Sequence, residues 1–106
     1  MRAYKNAYKE GMKKHKKILP GFFEDLVEGT KTYEFRLNDE DLKDIQPGDT
    51  LVLEEWSGLG EDRKPTGRTI KKTVTHALRL AMKDLLKYWS REDIEEKGFL
   101  IMSLKD

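Results

Sequence analysis

Residues 15–39 read HKKILPGFFEDLVEGTKTYEFRLND, and the parsing of this stretch decides the fold. His15–Leu19 is a short strand that stops at Pro20. Phe22, Phe23, Leu26 and Val27 then make an i, i+1, i+4, i+5 stripe, which predicts an amphipathic helix over Pro20–Glu28. Proline suits the first helical position and Gly29 the position just past the end. Beyond it, Tyr33 and Phe35 alternate with Thr32, Glu34 and Arg36, the pattern of a strand with one apolar and one polar face. Lys31, Glu34 and Arg36 thus crowd three ionisable groups beside the helix end. They are either a solvated strand edge or the lining of a ligand cleft.

Working outward, Asn38–Asp44 is a polar, acidic connection, and Pro47 with Gly48 fits the centre of a type II turn. Thr50–Trp56 is a leucine- and valine-rich strand, followed by a glycine-rich loop over Ser57–Gly67. Arg68–Leu78 is a long strand with Ile70, Val74, His76 and Leu78 on one face. Ala81, Met82, Leu85, Leu86 and Trp89 form a helical stripe. Ser90 and Asp93 resemble a capping box ahead of a short helix ending at Gly98. Phe99–Leu104 closes the chain as an apolar strand. On the other side, Tyr4, Ala7, Tyr8 and Met12 predict a helix over residues 3–12. The expected class is α+β, a small curved sheet of about five strands, partly closed, with flanking helices.

The chain has 106 residues, enough for one domain with a modest core. Charged residues make up 39%, so the surface is densely charged. Cysteine is absent, which excludes disulfides and thiolate zinc sites and fits a reducing cytoplasm. No apolar run reaches the roughly 18 residues of a membrane span, and no apolar signal core follows the basic N-terminus. The expectation is a cytoplasmic monomer without a membrane partner. The net charge is only +1, but Arg2, Lys5, Lys9, Lys13, Lys14, Lys16 and Lys17 face a single Glu10 in the first 17 residues. Such a basic arm can hold phosphate; a solvated face whose tyrosines dock on the body is the plainer reading.

Four runs carry a family resemblance. They are H-x-x-I-L-P-x-F-F from His15, E-G-x-K-T-Y-E-F-R-x-N-D from Glu28, P-G-D-x-L-V-L-E-E-W from Pro47, and T-G-R from Thr66. Together they resemble an ASCH domain of the PUA-like superfamily, closest to its small bacterial and phage proteins. The G-x-K-x-x-E-x-R element at Gly29, Lys31, Glu34 and Arg36 is the most specific part. The resemblance implies a PUA-like β-barrel over residues 15–106, preceded by a basic extension over 1–14. It also implies a cleft beside the helix and the next strand, and a role in binding RNA. One ASCH branch deacetylates N4-acetylcytidine, with a lysine at the place of Lys31, a threonine at the place of Glu34 and a downstream glutamate. Here that second position is glutamate, and Thr32 lies two residues earlier on the same strand face.

The residues themselves suit a nucleotide. Arg36 can fork two hydrogen bonds to phosphate or carboxylate. Glu34 can orient Arg36 or accept from an exocyclic amine. Lys31 is a point charge for phosphate. Asn38 can meet a base edge or cap a turn. His15 can line the cleft, Trp56 can stack on a base, and Lys13 and Lys16 add positive charge. Lys31 with Glu34 is also a candidate acid–base pair, so binding and catalysis both stay open. The plain alternative is a surface ion pair worth about 0–1 kcal/mol. The two histidines have no ligand spacing, so neither metal nor cofactor is expected. Tyr33, Phe35 and His76 are expected in the core, and Trp89 as the anchor of its helix. Three functions are in view: an RNA- or nucleotide-binding module, a hydrolase acting on RNA or a modified nucleoside, and a protein-interaction domain.

Overall fold

A computed structural model describes residues 11–105. The helix expected over 3–12 falls almost wholly outside them. Strand β1 (Lys13–Ile18) leads into helix α1 (Pro20–Glu28). After an irregular segment come strand β2 (Thr50–Ser57), a 3₁₀ turn (Gly60–Asp62) and strand β3 (Lys64–Thr73). Two short helices follow, α2 (Met82–Leu85) and α3 (Arg91–Lys97).

The sheet is three-stranded in the order β1-β2-β3, with β1 parallel and β3 antiparallel to β2. It is open and mixed, and this overturns the expected barrel of about five strands. Two predicted strands, over 32–36 and 99–104, join no ladder among the described residues. The reason is visible for the first. The Arg36 side chain donates to the Lys17 carbonyl at 2.8 Å, so a side chain and not a main-chain N–H meets this β1 acceptor. Main-chain pairing would need strands about 4.8 Å apart. The second carries consecutive apolar residues without the alternation that fixes a register.

Helix α1 forms as the sequence dictates. Pro20 opens it, and Gly29 closes it at φ 82°, a conformation in which a Cβ would be strained. Phe23 and Leu26 are its buried residues. They meet Ile18, Leu42, Leu51 and Leu53 in the core cluster, with Ile45, Ile70 and Val74 packed at its margin. The core therefore lies on one face of the sheet, under α1.

Two buried acids tie this unit together. The Asp49 carboxylate accepts from the backbone N–H groups of Met12 at 2.8 Å and Gln46 at 2.9 Å, clamping the start of β1 to the turn before β2. Glu55 accepts from the Thr66 hydroxyl at 2.6 Å, and Arg68 lies 3.8 Å away. Arg68 also pairs with Glu24 at 2.6 Å and lies 4.6 Å from the centroid of the Phe23 ring, fastening α1 to β3.

Strand β3 begins and ends earlier than the sequence suggested. The connecting loop is short because Gly58, at φ 90°, lets the chain double back; a Cβ there would meet the Asp62 carbonyl oxygen at 2.5 Å. Since β3 stops at Thr73, His76 is not on a buried strand face but exposed. The stripe over 81–89 yields only the four-residue α2, followed by turns that lead into the Ser90 cap of α3. Trp89 packs against Phe99, ring centroids 6.3 Å apart, and not on the core cluster. No helix among the described residues is long and apolar enough to cross a membrane.

Replacing Asp49 by alanine is expected to destabilise the fold by about 1–3 kcal/mol, since two part-buried N–H groups lose a charged acceptor. Urea unfolding measures it; a loss within about 0.5 kcal/mol would show that the clamp contributes nothing.

Candidate functional site

The end of β1, the start of α1 and the segment after it enclose a cleft of about 390 Å³, lined by Lys17, Ile18, Leu19, Phe22, Lys31, Tyr33, Glu34, Phe35 and Arg36. Its position follows from the local sequence. Gly29 ends α1, the Lys31 N–H donates back to the Asp25 carbonyl at 3.0 Å, and the chain then runs beside the outer edge of β1.

The three predicted charges come together here. One Glu34 carboxylate oxygen accepts from the Lys31 ammonium, which also donates to the Tyr33 carbonyl. The other accepts from Arg36 Nε at 2.7 Å. Arg36 Nη2 then donates to Lys17 O. The side chains of Lys31, Glu34 and Arg36 are 11, 18 and 26% exposed, so the charges face inward. Tyr33 and Phe35, expected in the core, are instead 39 and 67% exposed, and Phe22 is 52% exposed. Alternation along the segment is real, but its polar side is the sheltered one. Each charge has a partner there, which makes shelter tolerable.

The other predicted residues are distributed differently. Asn38 accepts from Arg79 Nε at 3.0 Å, and Arg79 Nη2 donates to the carbonyls of Leu42 and Ile45 at 2.8 and 2.7 Å. Asn38 is thus part of a latch on the acidic connection and not of the cleft lining. Lys16 is taken by Asp39 at 2.9 Å and Asp41 at 3.3 Å. His15 pairs through Nδ1 with Glu54 at 2.9 Å. Strand alternation and register put Lys13, His15 and Lys17 on the sheet face opposite the core, alongside Glu54. Trp56 belongs there too, with Lys17 Nζ 3.9 Å from its ring centroid; its Nε1–H is buried without a partner. Among the described residues no group of three or more His, Asp or Glu is arranged to hold a metal.

Sequence reasoning missed Lys17, Leu19 and Phe22 as cleft residues, and Arg79 as the holder of Asn38. The available signal for the first group was that Lys17, Leu19 and Phe22 flank the Pro20 helix start, opposite the charged segment. Nothing local pointed to Arg79, whose partner lies 41 residues away.

Chemically, the cleft offers aromatic and aliphatic walls, one carboxylate acceptor and one guanidinium. Glu34 shares its single negative charge between Lys31 and Arg36, so the trio keeps a net positive charge although each member is hydrogen-bonded, and a ligand must exchange with an existing contact and not simply fill a vacancy.

Truncating the central acceptor is the sharpest test of that arrangement. Glu34→Gln is expected to lower stability by about 1–3 kcal/mol, because two sheltered cations lose their shared partner; an unchanged denaturation midpoint would mean the triad is solvated.

The Lys16–Asp39 pair sets a pH signature. The hydrogen bond from Lys16 holds the Asp39 carboxyl below the usual carboxylate value, and the same contact raises the Lys16 ammonium. The Asp39 contribution to stability is therefore present above the unfolded value of about 3.9 and lost as pH falls through the lowered folded one. The Lys16 contribution is present below about 10.4 and lost as pH rises through the raised folded value. In Lys16→Met the NMR titration of Asp39 is expected to move upward toward the ordinary value; an unmoved titration would contradict the pairing.

No curated protein and no solved structure matches the chain. The profile of a family described as a domain of unknown function, DUF3850, matches residues 14–89, a span that takes in all of the sheet but Lys13 and every cleft residue. The chain belongs to the DUF3850 family.

Proposed function

We propose that this chain is a binding module for RNA or a nucleotide, with one nucleotide unit held in the Lys31–Glu34–Arg36 cleft. The observation that carries the reading is the combination of exposed aromatic walls with an inward carboxylate and guanidinium in a space of about 390 Å³. That volume lies within the usual small-ligand range of about 300–1,000 Å³. A nucleobase can lie against Phe22, or beside the Tyr33 ring near Lys31, and place its exocyclic amine on Glu34. Arg36 and Lys31 can then turn toward a phosphate or a base carbonyl. The likeness of G-x-K-x-x-E-x-R to ASCH domains supports the same ligand class. A reducing cytoplasm suits a chain without cysteine.

A second reading has its own support. Lys31 and Glu34 touch beside an apolar wall, which is the layout of an acid–base pair, so a hydrolase acting on RNA or on N4-acetylcytidine is the alternative. The two readings separate by turnover.

Calorimetric titration with cytidine monophosphate and a short single-stranded RNA tests the first. Saturable binding is expected, weakened about tenfold or more in Arg36→Ala by loss of a charged hydrogen-bond donor. Absence of binding at millimolar ligand would sink it. Release of cytidine from N4-acetylcytidine, abolished in Lys31→Ala, would put the hydrolase in its place.

A further inference from the structure

The sheet face opposite the core has its own character. Lys13, His15 and Lys17 follow one another at alternate positions of β1, and the register sets Lys71 of β3 on the same face. Trp56 lies at one end of this row, with Lys17 over its ring at 3.9 Å and Arg63 at 5.9 Å. The acid among them, Glu54, is engaged by His15.

Lys17 joins this face to the cleft. Its carbonyl is the acceptor for Arg36 and it lines the cleft, while its ammonium covers Trp56. We infer that a single strand of RNA whose base occupies the cleft continues across Lys17 onto the opposite sheet face, where Trp56 is a second stacking station and the exposed cations of the β1 row take the following phosphates. This rests on the reading of the cleft as a nucleotide site.

Three features carry the path. Alternate residues of a strand lie about 6.6 Å apart, a spacing at which successive cations can track an extended sugar–phosphate backbone. An indole covered by lysine and arginine side chains offers a π-face whose present occupants are long and exposed, so a base can take the place of Lys17 on the ring. The displaced ammonium then meets a phosphate, keeping its charge compensated. Finally, β1 is an edge strand, so nothing in the sheet intervenes between cleft and face.

The test uses uridine monophosphate and hexauridylate on the full chain carrying Trp89→Phe, which leaves Trp56 as the single fluorophore of its kind. Hexauridylate is expected to bind about tenfold or more tightly than the monophosphate and to quench Trp56 emission. Lys13→Gln with Lys71→Gln is expected to narrow that ratio and to reduce the slope of log affinity against log salt by about 1.4. Equal affinities with unchanged Trp56 emission would overturn the path and leave the cleft reading standing. Failure of both ligands to bind at millimolar concentration would overturn the cleft reading and the path with it. Hexauridylate binding that quenches Trp56 equally well in Arg36→Ala would separate the face from the cleft and so overturn the continuous path.

Discussion

The Arg36 guanidinium, held by Glu34 on one side and by the Lys17 carbonyl on the other, is the contact on which the site depends. An edge strand leaves main-chain acceptors unpaired, and proteins guard such edges in several ways. Here a charged side chain meets one of them and no further strand is added. The consequence is a gap where a fourth strand would have packed. The rings of Tyr33 and Phe35 face outward along that gap, and Phe22 and Leu19 of the α1 end form its other wall.

Hydrogen-bond satisfaction follows from the same contact, although the cluster keeps a net positive charge. Glu34 serves two cations, and Lys31 and Arg36 each have a main-chain acceptor as well. A ligand gains from this cleft only the difference between its own contacts and those it replaces. That favours ligands that bring both an anionic and a hydrogen-bonding edge, because they can re-pair both members of the broken set. It also means that single substitutions disturb fold and binding together, so stability and affinity have to be measured side by side.

Parts of this were legible in the sequence for definite reasons. Helix α1 runs over the residues expected, since proline, the apolar stripe and Gly29 all mark it. Strand β2 ends one residue beyond its predicted limit. The shared face of Glu34 and Arg36 was readable from their two-residue period, and Lys31 was placed beside them only by its position at the helix end. What the sequence could not convey was whether residues 32–36 would pair through the main chain. Alternation specifies faces, but the partner of Arg36 is a carbonyl, which has no sequence signature. For the same reason Tyr33 and Phe35 were expected inward. Asn38 and Lys16 matched a binding pattern, yet Arg79, Asp39 and Asp41 occupy them through contacts 23 to 41 residues away in the chain.

The most direct measurement of the central claim is the side-chain Nε–H resonance of Arg36, assigned through Arg36→Lys and followed while cytidine monophosphate is added. A saturable displacement of that resonance is expected, because the ligand must re-pair the guanidinium that now holds Glu34 and the β1 edge. The Nε–H of Arg79, locked on Asn38 outside the cleft, is predicted to stay in place. An Arg36 resonance that does not move at millimolar nucleotide, or one that moves only in step with Arg79, would contradict the cleft as a nucleotide site.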